Sequence, residues 1–135
     1  MLARGDAVRV LVRPASDRSN VQGLAVEVVA GDLRAPATLA AACAGCSALY
    51  HVAADYRLWT RDPRELYASN VDGTRHLMRA ALRAGVPRIV YTSSVATLGL
   101  HADGSPSHED SPVTIDNMIG HYKRSKFLAE RVVDE

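Results

Sequence analysis

The stretch that decides the fold is Cys46–Thr92, CSALYHVAADYRLWTRDPRELYASNVDGTRHLMRAALRAGVPRIVYT. Its two ends, CSALYHVA (46–53) and VPRIVYT (86–92), are short and mostly apolar, with the β-branched and aromatic content of buried strands. Between them Asp62 is placed to cap a helix, Pro63 suits its first position and Gly85 its end. Leu66, Val71, Met78 and Leu82, with Asn70, Thr74, Leu77 and Ala81 between them, predict one inward face for that helix. The segment therefore reads as strand, helix, strand.

Working outward, AVRVLVR (7–13) predicts a strand followed by turn chemistry in PASDRSN (14–20), and AVEVVA (25–30) a second strand that stops at Gly31-Asp32. A short helix is expected over Pro36–Ala42, and a last helix over about Ile119–Val133, after a long loop through Ser111-Pro112. Strands that are apolar along most of their length and separated by helices predict an α/β fold with a doubly wound parallel sheet covered on both faces. In such a fold ligands bind beyond the carboxyl ends of the strands, so the residues just after Arg13, Ala30, Val52 and Thr92 are expected to line one crevice. The start, Leu2-Ala-Arg-Gly-Asp6, resembles the last turn of a helix running straight into a strand. It is read as a truncation, so that residues 1–135 form a single partial domain.

A chain of 135 residues can bury a core of its own, since a domain near this size hides roughly two-thirds of its unfolded surface. With 47% hydrophobic and 23% charged residues it has the composition of a globular protein. Lys and Arg number 16 against 15 acidic residues, so no excess of positive charge exists to neutralise a nucleic acid or an anionic membrane. A small-molecule substrate is the expected partner. No apolar run approaches the roughly 20 residues of a membrane span, and the start lacks a secretory signal, which makes a cytoplasmic setting the default expectation. Cys43 and Cys46 have Cys-x-x-Cys spacing, but no second pair of Cys or His completes a tetrahedral zinc site, so no metal centre is expected.

Tyr122 and Lys126 stand four apart at the opening of the last helix, on one face. A phenol is a poor acid and a poorer base at neutral pH; an ammonium group nearby favours its ionised form, and such a pair can give or take a proton at a carbonyl or hydroxyl. Ser93 and Ser94 follow directly on the strand 86–92, at the crevice edge, where a hydroxyl can hold the same substrate oxygen.

Taken together, Thr92-Ser-Ser-Val-Ala-Thr-Leu-Gly99, Tyr122-x-x-x-Lys126, His51-Val-Ala-Ala54, Asn70-Val-x-Gly-Thr74 and Gly31-Asp-Leu33 resemble, in order and spacing, the extended short-chain dehydrogenase/reductases, the epimerase and dehydratase group. The stretches HVAADYRLW (51–59), YTSSVATLG (91–99) and IGHYKRSKFLAE (119–130) are similar to those of the hopanoid-associated sugar epimerases, with the dihydroflavonol 4-reductases next. The resemblance implies a Rossmann-like NAD(P)-binding fold. It also implies that Ser94 holds the substrate oxygen, with Ser93 as the alternative, that Tyr122 is the acid/base, and that Lys126 tunes it and holds the nicotinamide ribose. Asp32 and Leu33 are implied to flank the adenine, Val52, Ala53 and Ala54 to line the cofactor, and Asn70 to support the site.

Arg13 ends its strand where an acidic residue would select NAD; an arginine suits a 2′-phosphate instead, which favours NADP, with NAD possible. No Gly-x-x-Gly-x-x-Gly turn occurs in the sequence, and such a turn is expected directly before Met1 in the longer reading frame. The expected activity of the full-length protein is that of an NAD(P)-dependent sugar epimerase or dehydratase-type oxidoreductase. Its rivals are an NADPH-dependent carbonyl reductase, and, for the chain by itself, a non-catalytic binding module. The substrate is expected to be a sugar nucleotide or a carbonyl compound. Tyr56, Arg57 and Trp59, in the loop after Ala54, are further expected substrate contacts, and the family resemblance implies a homodimer paired through the two long helices.

Overall fold

The computed structural model describes residues 1–135. Its strands are β1 (Val8–Val12), β2 (Val26–Ala30), β3 (Leu49–His51) and β4 (Ile89–Tyr91). The helices are α1 (Leu39–Cys43), α2 (Arg64–Tyr67), α3 (Gly73–Arg83) and α4 (His121–Asp134). β1 pairs with β2 in parallel from Val8↔Val26 to Val12↔Ala30, and β3 with β4 from Leu49↔Ile89 to His51↔Tyr91. Alternation of strand and helix with parallel pairing is the doubly wound α/β pattern the sequence predicts. The strands are shorter than their apolar runs by up to three residues at an end, most at the amino ends of β3 and β4.

Within residues 1–135 the helices cover one face of the strand pairs. Leu11, Leu49 and Ile89 pack against a core of Leu39 and Cys43 from α1, Leu77 and Ala81 from α3, and Val86 ahead of β4. The alternate positions point the other way and stay open: Val28 is 39% exposed, Tyr50 43% and Val90 40%. All the long helices lie on one side, so only one face of each strand pair is covered. The two pairs also share no backbone hydrogen bonds with each other.

Arg9 shows how the covered side is tied down. Its Nη1 donates to the carbonyls of Ala41 at 3.1 Å and Ala44 at 2.6 Å, closing the carboxyl end of α1, while its Nε bonds Glu27 across the β1–β2 pair at 2.8 Å. Cys43 is buried in the core, which pushes its thiol pKa up, and the Cys46 thiol donates to the Ala42 carbonyl.

The predicted helix 62–84 is one continuous rod from Arg64 to Arg83, with a π turn over Ala68–Asp72 between α2 and α3. Asp62 accepts from the Arg64 amide at 3.0 Å, the capping contact its position predicts. The wider turn changes the register of the faces. Leu66, Asn70, Thr74, Leu77, Met78 and Ala81 are buried, whereas Leu82, expected inside, is 69% exposed. Gly73 opens α3 where it crosses the loop after β2; a Cβ there would lie 2.8 Å from the Leu33 Cβ, so only glycine permits the approach.

Candidate active site

Every residue singled out after a strand lies at the carboxyl ends of the strands, as the parallel topology requires. Arg13 follows β1, Asp32 and Leu33 follow β2, Val52–Asp55 follow β3, and Thr92–Ser94 follow β4. The surroundings of these groups differ sharply.

On the β1–β2 side the groups are open. Arg13 is exposed, and its Nε donates to Ser16 Oγ at 3.3 Å. Asp32 accepts from the Arg34 amide at 2.9 Å and from its guanidinium at 2.9 Å, and this hydrogen bonding holds its carboxyl below the usual carboxylate range, with smaller help from the charge of Arg13. The Leu33 side chain packs against the core and its carbonyl accepts from His76 Nδ1 at 3.0 Å. Val52, Ala53 and Ala54 are exposed, small and unobstructed. Tyr56 and Trp59 stand out at about four-fifths exposure, while Arg57 is engaged by Asp55 at 2.6 Å and by Glu65 at 3.3 Å.

On the β4–α4 side the groups are enclosed. Asn70 is 3% exposed; its amide donates to the Asp55 carbonyl and to Ser125 Oγ, both at 2.9 Å, and its Oδ1 accepts from the Asp55 amide at 2.7 Å. Ser125 in turn donates to the Tyr122 carbonyl at 2.7 Å. Asn70 thus ties the loop after β3 to the first turn of α4, with both amide hydrogens already committed. Its own carbonyl accepts the Thr74 hydroxyl at 2.7 Å. Thr74 has no other hydrogen to give, so in the 2.8 Å contact between Thr74 and His51 the donor is His51 Nε2–H. Burial, helped by the nearby charge of Lys126, lowers the His51 pKa to about 4.

Lys126 is 2% exposed, and its Nζ donates to Tyr91 Oη at 2.7 Å and to the Thr92 carbonyl at 2.9 Å. Burial lowers its pKa, and Glu130 pulls in the opposite direction. Tyr91 is raised to about 12, chiefly by burial and then by Glu130 and Tyr122. The two serines are placed differently. Ser93 Oγ donates to Glu130, near which Thr97 Oγ1 also lies at 3.3 Å. Ser94 Oγ accepts from the Ala96 amide at 3.2 Å and caps the short turn Val95–Thr97. The Ser93 hydroxyl hydrogen is therefore committed within the chain, while that of Ser94 is not.

Tyr91, Glu130, Thr97 and His51 belong to this cluster and were not singled out as site residues from sequence. The strand pattern held a signal for two of them: alternation puts Tyr91 and His51 on the helix-covered face, and a buried phenol or imidazole needs a polar partner there.

The geometry can be set beside that of known proteins. The model of the family described as NAD dependent epimerase/dehydratase matches residues 1–135. A "Putative dihydroflavonol 4-reductase" of Synechocystis is 44% identical over 131 residues, which is 97% of this chain and 38% of that protein. The crystal structure of gox2253 superposes with a TM-score of 0.91 at 55% identity, over 98% of this chain and 40% of that one. A short-chain dehydrogenase/reductase superfamily protein from Agrobacterium tumefaciens, solved with bound NAD, superposes with a TM-score of 0.75 at 31% identity, over 98% and 38% of the two chains. This chain thus spans about two-fifths of the length of these relatives. With the match running from its first residue to its last, over a parallel α/β fold of the Rossmann type, the chain belongs to the NAD dependent epimerase/dehydratase family.

Proposed function

We propose that the full-length protein carrying this chain is an NAD(P)-dependent oxidoreductase of the sugar epimerase or dehydratase type, working with Ser94, Tyr122 and Lys126. The observation that carries the reading is the buried Lys126 ammonium, one helical turn from Tyr122 and held at the end of β4 beside the serine loop. Its direct partners, the Tyr91 hydroxyl and the Thr92 carbonyl, are both neutral, so no ion pair cancels its charge. Ser94, whose hydroxyl hydrogen remains to be donated, suits a substrate oxygen better than Ser93, which gives its own to Glu130.

A nicotinamide nucleotide fits the open side of the crevice. Val52, Ala53 and Ala54 leave room at the end of β3, and Asp32 and Leu33 stand at the end of β2. Arg13 keeps most of its guanidinium donors for a phosphate, which favours NADP over NAD. Asn70 acts by fixing Asp55 and Ser125 rather than by reaching the ligand. When bound, the cofactor would supply the hydride acceptor or donor. The residues of this chain hold the substrate oxygen at Ser94, move its proton through Tyr122, and keep Lys126 charged beside it. Sugar nucleotides and small carbonyl compounds are the substrate classes for this chemistry; the 44% identity to a protein named as a reductase favours the carbonyl reductase as second reading. Homodimer pairing through α3, which leaves Leu82 exposed, belongs to the same proposal.

The test is turnover of NADPH and NADH by the full-length protein and its Tyr122→Phe form, with nucleotide sugars and carbonyl compounds, followed by product analysis for epimers. The variant is expected to lose at least about a hundredfold in kcat, the lower end of general acid/base contributions. Equal rates in both forms would remove Tyr122 from the chemistry.

A further inference from the structure

Nothing in the family motifs assigns a role to Tyr91, yet it makes the shortest polar contact to the one buried ammonium group in the chain. We propose that Tyr91 is the positioning residue for Lys126, its hydroxyl and the Thr92 carbonyl together fixing the ammonium with two neutral acceptors so that the charge stays available to Tyr122 and to a bound ribose. The inference rests on the function proposed above and adds a residue to it.

An ammonium group has three hydrogens. Tyr91 Oη takes one at 2.7 Å and the Thr92 carbonyl a second at 2.9 Å, which leaves one uncommitted for a ligand. Nζ stands 4.4 Å from the Tyr91 ring centroid, farther than from the oxygen, so the hydroxyl is the principal contact. A carboxylate in this place would hold the ammonium as firmly but cancel its field. The titratable groups facing Lys126 are Tyr91 on β4, His51 on β3, and Tyr122 and Glu130 on α4. Burial keeps His51 neutral, with a pKa of about 4, and Tyr91 neutral, with a pKa raised to about 12. The carboxylate, Glu130, acts on Lys126 through space and opposes the effect of burial, but it makes no ion pair with Nζ and accepts instead from the Ser93 hydroxyl, with Thr97 Oγ1 within 3.3 Å. Tyr91 thus orients Lys126 without discharging it.

Removing only the oxygen tests this. In the full-length protein, Tyr91→Phe keeps the ring and its packing against His51, whose centroid lies 5.3 Å away, so the fold is expected to persist. With one acceptor gone, the buried ammonium loses a charge-assisted bond and gives up its proton more easily. The alkaline limb of the kcat profile is then expected to move down by about one pH unit, so that kcat at a pH on the limb falls about tenfold with substrate KM unchanged. A direct reading comes from NMR of ¹³Cε-labelled lysine, in which the Lys126 titration should move down with the rate. A Tyr91→Phe enzyme with the parent's pH profile and the parent's Lys126 titration overturns the proposal. Tyr122→Phe separates the two layers: if it leaves activity intact, the functional reading itself fails, whereas loss in Tyr122→Phe with none in Tyr91→Phe defeats only the role of Tyr91.

Discussion

The β1–β2 half of the crevice and the β4–α4 half use polar side chains in opposite ways. At the carboxyl ends of β2 and β3 and ahead of α2 the charged groups pair with near neighbours: Asp32 with Arg34 two residues on, Asp55 with Arg57 and Asp62 with Arg64. Around β4 and α4 the partners are far apart in sequence and buried or half-buried: Lys126 with Tyr91, Glu130 with Ser93, Asn70 with Ser125, His51 with Thr74. Exposed ion pairs exchange one set of water contacts for another and gain little. Buried groups have no such alternative, so each bond there fixes a geometry and each loss leaves a group unpaired. The half assigned to proton transfer is built before any ligand arrives; the half assigned to the cofactor is left accommodating.

Stability measurements on the full-length protein can break this contrast. The largest effect is expected from His51. Its folded pKa of about 4 lies below the ordinary 6.5, so the unfolded chain takes up the proton first as pH falls. The stability this contributes is complete above about pH 6.5 and lost on descent to about pH 4, a change of up to about 3 kcal/mol. A urea midpoint that falls across this range in the parent and stays flatter in His51→Gln is the expected result; a parent midpoint that does not move contradicts the buried neutral imidazole. Next comes Asn70→Ala, which strands the Asp55 amide and a Ser125 acceptor and is expected to cost about 2 kcal/mol by urea unfolding. The smallest belongs to the open half. Arg34→Ala removes the partner of Asp32, but with side chains 44% and 23% exposed the change is expected to stay within about 0.5 kcal/mol. A loss at Arg34 as large as that at Asn70 would erase the distinction.

What the sequence made legible follows the same division. Runs such as AVRVLVR and VPRIVYT, with Asp62-Pro63 and Gly85 around a helix, were enough for a parallel α/β fold, because strand burial and helix capping are local in cause. Tyr122 and Lys126 were visible because four residues on a helix is a fixed spacing. The partners of Lys126 were not, since Tyr91 meets it across 35 residues and only packing brings them together. Glu130 read as one more charge on a helix, and nothing local announces that Ser93 will occupy it. The π turn at Ala68–Asp72 was likewise hidden, since no local residue pattern announces a turn of that width.

The open face of the strand pairs has a practical side. With Val28, Tyr50 and Val90 each about two-fifths open in the folded state, this stretch of chain offers native apolar surface to any dye that fluoresces on such surface. A bright dye signal from it in isolation would ordinarily be taken to mean a loosened, partly denatured protein. Surface of this kind, open in the folded arrangement, makes dye binding a poor gauge of its integrity, and near-ultraviolet dichroism the better one.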